Sequence, residues 1–131
     1  MPESIVIKPI GTIHCELHDP SMTPKNYDES TVAGILEIFP EYADGLKGVE
    51  VGQTVVALFW LHQAKRDILQ VYPRGDRSRG LFGIFATRSP MRPNPIAISE
   101  LKVLKIDGTR LTVVGVDVLD QTPLLDLKRK I

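Results

Sequence analysis

Short apolar runs rich in β-branched residues recur along this chain, and a proline or glycine closes most of them before a helix-length pattern can build. Ser4–His14 reads as an edge or bulged strand interrupted by Pro9, and Thr31–Phe39 reads as a strand that Pro40 ends, since proline has no N–H for a ladder. The continuous apolar stretch within Gln53–His62 has the pattern of a central strand buried on both faces. Ile68–Tyr72, Leu81–Thr87, Ile96–Ile106 and Arg110–Leu119 complete the set, the last two joined by the Asp107-Gly108-Thr109 hairpin turn. Asp19–Ser30 and Arg74–Gly80 read as polar loops, the second without an apolar anchor, and Glu41–Leu46 as one helical turn. Six or seven short strands with one or two short helical turns imply an all-β or mostly-β fold, a small barrel formed as a single domain over residues 1–131.

With 43% apolar and 24% charged residues, the chain has the composition of a soluble globular domain large enough to bury its own core. The start Met1-Pro2-Glu3-Ser4 lacks the pattern of a signal peptide, and no apolar run is long enough to span a membrane, so a cytoplasmic location is expected. A single cysteine, Cys15, fits a reducing compartment and reads as packing. His14 and His18 flank it, but the spacing matches no metal-site template, and no metal is expected. No Gly-x-Gly-x-x-Gly follows a first strand, so a Rossmann-like cofactor domain is not indicated.

Charge is neutral overall but uneven. Residues 1–64 carry three lysines against nine acids, whereas residues 65–92 carry seven basic side chains against two acids. Within that basic stretch, Pro90, Pro93 and Pro95 fix their own φ and bias Ser89, Arg92 and Asn94 toward extended backbone. A loop stiffened in this way loses little entropy on holding a ligand, and Arg88 and Arg92 suit a carboxylate, a phosphate or a nucleobase face. A rigid surface turn whose arginines pair with nearby acids fits the same residues equally well.

The run Phe85-Ala86-Thr87-Arg88-Ser89-Pro90-Met91-Arg92-Pro93-Asn94-Pro95-Ile96 resembles the core motif of the TsaA/TrmO family of tRNA-modifying methyltransferases. The likeness extends through Pro9-Ile10-Gly11, Leu36–Leu46, Phe59–Gln63 and Asp117–Lys128, and so covers almost the whole chain. The resemblance implies a small β-barrel that dimerises, binds S-adenosylmethionine and methylates the exocyclic amine of a modified adenosine beside the anticodon of tRNA. Carried over by position, cofactor contacts fall on Pro24, Lys25, Asn26, His62, Gln63, Arg88, Ile98 and the stretch Asp117, Val118, Leu119 and Asp120, with Ser89, Pro90, Arg92 and Asn94 supplied by the motif itself. Arg88 or Lys25 would meet the ligand's carboxylate, Gln63 or the backbone near Ile98 its adenine, and Asp117 or Asp120 its ammonium. A carboxylate, Asp117 or Asp120, is also the natural acceptor for the proton of the attacking amine, although a backbone carbonyl would serve too. The basic stretch Lys65–Arg92 and the tail Lys128–Lys130 would hold RNA phosphates. The same pocket also suits a non-catalytic protein that binds S-adenosylmethionine or a nucleotide. Among the departures from the family pattern, Ala97 stands for a glycine after Pro95-Ile96, Gln121 for the glycine of an Asp-Gly-Thr-Pro turn, and Val51-Gly52-Gln53-Thr54-Val55 for a Phe-Ser-His segment.

Overall fold

In the computed structural model, which describes residues 3–24 and 30–131, six antiparallel strands close into a barrel. They are β1 (Gly11–Cys15), β2 (Ala33–Ile38), β3 (Thr54–Trp60), β6 (Ile96–Asp107), β7 (Arg110–Val114) and β8 (Pro123–Arg129), in the cyclic order β1-β2-β7-β6-β3-β8. Closure gives every strand two neighbours, so the barrel has no bare edge. A separate two-stranded arm, β4 (Gln70–Val71) with β5 (Phe82–Gly83), projects from the long β3–β6 connection.

Period-two patterning fills the interior. Ile13, Leu36, Ile38, Val55, Ala57, Phe59, Leu101, Val103, Leu111, Val113 and Leu124 point inward and are almost fully buried. Each of the larger ones contributes about 1.5–3 kcal/mol relative to an exposed position. Gly11 is required where β1 crosses β2, because a Cβ there would lie 2.2 Å from the Glu37 carbonyl oxygen.

Five expectations need correction. β3 alternates rather than being buried on both faces: Val55, Ala57 and Phe59 are inside, while Val56, Leu58 and Trp60 are half-buried on the outside. A barrel offers one interior, and the continuous apolar run reflects an apolar outer wall. The first strand begins at Gly11, not Ser4; Ile5 and Val6 are more than 80% exposed, because Pro9 interrupts the ladder. Leu81–Thr87 is mostly a 3₁₀ turn after the two residues of β5, and β7 ends at Val114. Finally, Pro123–Arg129 is a strand, β8, although its leading proline and charged end hide the pattern; it joins β1 to β3 and closes the barrel.

Because the strands alternate in direction, one rim gathers the ends of β1, β3 and β7 and the starts of β2, β6 and β8. Three connections meet there: residues 16–32, 61–95 and 115–122. Every described residue singled out for the cofactor lies in one of them or, for Ile98, near the start of β6, so the topology alone brings sequence-distant positions to one end of the barrel.

Candidate functional site at one rim of the barrel

The proline-rich loop is held from within. The Arg92 guanidinium donates to the carbonyls of Ser89 (2.8 Å) and Ile84 (3.1 Å), folding back over its own loop. Thr87 Oγ1 donates to the Ile84 carbonyl and accepts from the Ser89 amide, while Ser89 Oγ accepts from the Met91 amide. On the far side, Arg66 Nε donates to the Pro93 carbonyl (2.7 Å) and an Nη reaches Asn94 Oδ1 (3.5 Å), with its guanidinium stacked 5.2 Å from the Trp60 ring centroid. Buried Pro95 accepts from the Leu61 amide (2.8 Å), which sets exposed His62 and Gln63 beside the loop. Arg92 and Asn94 are therefore parts of the scaffold, whereas Arg88 is exposed and reaches outward to the Ile98 carbonyl of β6 (3.1 Å).

The next residue of β6 ties in the third connection. Ser99 is fully buried, and its hydroxyl donates to Asp117 Oδ1 at 2.6 Å, fixing a half-buried carboxylate one strand position from the Arg88 anchor. Ser30 Oγ donates to the Val116 carbonyl, so the end of the first connection is pinned beside the same aspartate. Asp120 faces another way: its Oδ1 accepts from the Cys15 amide (2.9 Å) and its own amide donates to the Leu17 carbonyl (2.7 Å), which ties the 115–122 connection to the end of β1. Val118 is buried and Leu119 half-buried, both packing toward the core. Burial is also the largest influence on the neighbouring Cys15 thiol, whose pKa it raises, keeping the group protonated and inert.

The structure thus brings together Arg88, Ile98, Asp117 and the Leu61–Gln63 corner, while Pro24 lies within the first connection. Lys25 and Asn26 lie outside the described residues. Ser99 was not among the sequence candidates; its signal was a hydroxyl at an inward position where the next inward residues, Leu101 and Val103, are apolar. The Arg74–Gly80 loop is better anchored than its composition indicates, because Arg77 stacks 4.6 Å over Tyr72 and Arg79 stacks 5.3 Å over Phe82. Its Asp76 caps the turn by accepting from the Ser78 hydroxyl and amide, and the hydroxyl contact is the main cause of a carboxyl pKa below its ordinary value. A cleft of about 560 Å³ separates this arm from the proline-rich loop, and Arg88, Ser89 and Pro90 form part of its wall.

This arrangement can hold a small zwitterion with a flat heterocycle. An exposed guanidinium is anchored on the Ile98 carbonyl, a carboxylate is fixed by the next residue of β6, and exposed Ile98 adds apolar surface. Among the described residues, no three His, Cys, Asp or Glu side chains come together as a metal site.

Residues 12–131 match the family model described as the tRNA-methyltransferase O N-terminal domain. An S-adenosyl-L-methionine-binding protein of Archaeoglobus fulgidus is 36% identical over 125 residues, covering 95% of this chain and 88% of the relative. A probable S-adenosyl-L-methionine-binding protein of Methanothermobacter thermautotrophicus is 38% identical over 124 residues, with the same coverage. Among solved structures, TrmO from Pseudomonas aeruginosa superposes with a TM-score of 0.77 at 29% identity over 98% of this chain. The chain spans 57% of that longer protein.

Proposed function

This chain belongs to the tRNA-methyltransferase O N-terminal-domain family, and from that premise we propose that it binds S-adenosylmethionine at the described rim and transfers the methyl group to the exocyclic amine of a modified adenosine next to the anticodon of tRNA, in the cytoplasm. The observation that carries the reading is the convergence on β6 of Arg88, bound to the Ile98 carbonyl, and Asp117, bound to Ser99. A cation and a carboxylate so spaced match the two charged ends of the ligand's amino acid portion, and the names of the archaeal relatives point to the same ligand.

When bound, the sulfonium supplies a methyl group already activated for transfer. The protein's work is then alignment and proton handling. Arg88 holds the carboxylate. Gln63 and the Ile98 backbone meet the adenine, with His62 beside them. Asp117, fixed by Ser99, meets the ligand's ammonium, while a backbone carbonyl of the rim accepts a hydrogen bond from the acceptor amine, whose proton passes to water as the N–C bond forms and the S–C bond breaks. Asp120 and Arg92 keep the two flanking connections in place, and the Ser89–Asn94 backbone forms the rigid floor. A second copy covers the apolar outer wall, where exposed Ile96 and Ile98 pair with half-buried Trp60 and Leu58. Light scattering should then give twice the chain mass.

The names of the archaeal relatives favour a second reading, a protein that binds S-adenosylmethionine without turning it over. Incubation with methyl-labelled S-adenosylmethionine and total tRNA separates the two. Label in tRNA nucleosides supports transfer; tight binding with no label in any tRNA pool leaves the binding protein.

A further inference from the structure

We propose that the cleft between the β4–β5 arm and the proline-rich loop is a subsite for single-stranded RNA, gripping the phosphodiester backbone and one base next to the nucleotide presented at the rim. The inference rests on the reading above that the acceptor is RNA, and adds where the RNA is held. Residues 68–92 hold five arginines and a single acid, Asp76, whose carboxylate is turned into its own cap. Arg74, Arg79 and Arg88 line the cleft together with Tyr72 and Phe82, and no acidic side chain is among the lining residues.

The geometry narrows the ligand. A guanidinium stacked flat on an aromatic ring keeps its in-plane N–H groups directed sideways, where they can meet a phosphate, and presents a planar face on which a base can stack. Two such pairs belong to the arm: Arg77 lies over Tyr72, the residue after β4, and Arg79 over Phe82 of β5. Alternating cations and flat faces suit a strand of nucleotides with its bases unstacked, whereas a carboxylate peptide would use the cations alone. Arg88 belongs both to this wall and to the rim, where it bonds the Ile98 carbonyl, so RNA lying in the cleft leads straight to the site of transfer.

The test uses fluorescence anisotropy of labelled total tRNA against the full chain, from about 0.05 to 0.2 M salt. Arg74→Ala with Arg79→Ala should weaken binding about tenfold at 0.1 M salt. Removing two cations from the phosphate backbone should lower the slope of log affinity against log salt by about 1.4, at ~0.7 per neutralised single-strand phosphate. Tyr72→Ala should weaken binding with little change in slope, and Arg74→Glu with Arg79→Glu should weaken it further than the alanines. S-adenosylmethionine affinity should stay within about twofold throughout, which also reports that the variants are folded. Lys102→Ala with Lys105→Ala, on exposed positions of β6, should leave tRNA binding unchanged. Equal tRNA affinity in the arm variants, or polyglutamate binding as tightly as tRNA, overturns the subsite. Wild-type protein that methylates tRNA while the arm variants bind it normally overturns the subsite alone; wild-type protein that binds no tRNA overturns the methyltransferase reading with it.

Discussion

Gln121 holds φ at 68°, in the left-handed region, where a side chain costs about 1 kcal/mol relative to glycine. Its amide offsets that cost by donating to His14 Nδ1 at 3.0 Å and lying 3.4 Å from both Asp120 oxygens. Gln121→Ala keeps the strain without these hydrogen bonds, so it should destabilise by about 1 kcal/mol, whereas Gln121→Gly trades one for the other and should be nearly neutral by chemical denaturation. The two motif arginines should separate in the same assay. Arg92→Ala strips donors from the Ser89 and Ile84 carbonyls and should cost about 1–2 kcal/mol, while exposed Arg88→Ala should leave stability nearly unchanged and act on ligand affinity. At this scale the sequence marked both arginines and the aspartates as candidates. It could not say which point into their own loop, because that depends on carbonyls such as Ile84 that carry no sequence signal.

At the level of single elements, β1 is the most exacting strand. Gly11→Ala drives a Cβ into the Glu37 backbone and should destabilise by about 2–3 kcal/mol, a loss that repacking cannot recover because the obstacle is main chain. The outer face of the same β1–β2 pair carries an ionic cluster in which Glu37 lies 2.8 Å from His14 Nε2 and 3.0 Å from Arg110 Nη1. The His14 contact is the leading cause of a Glu37 pKa below its ordinary 4.5. A depressed carboxylate stabilises the fold fully above that ordinary value and loses the contribution as pH falls through the lowered one. Melting temperature should therefore fall less steeply below about pH 4.5 in Glu37→Gln than in the wild type. β2, β6 and β7 were legible because their β-branched runs and turn residues agree, and β3 because an apolar run of strand length stands out, although its two faces were not. β8 was not, since a strand opening on proline and closing on Lys128-Arg129 looks like a tail until β1 and β3 are seen to need a partner.

Over the whole molecule, barrel closure is what makes the site. No local pattern says that the connections carrying His62, Arg88 and Asp117 share a rim; that follows from the order β1-β2-β7-β6-β3-β8, which sends three connections to one end. The family resemblance carried those positions across without the geometry, and the topology supplies the reason they belong together. The uneven charge also resolves in space, with the basic stretch forming the arm and loop beside that rim. The decisive measurement is calorimetric titration of S-adenosylmethionine into the wild type, Arg88→Ala and Asp117→Asn, with Lys128→Ala beside the cleft at the opposite rim as control. Saturable one-site binding that weakens at least about tenfold in each rim variant and is unaltered in the control is the expected result. Equal affinity in all four proteins, or loss only in the Lys128 variant, would place the ligand elsewhere and contradict the assignment of this rim.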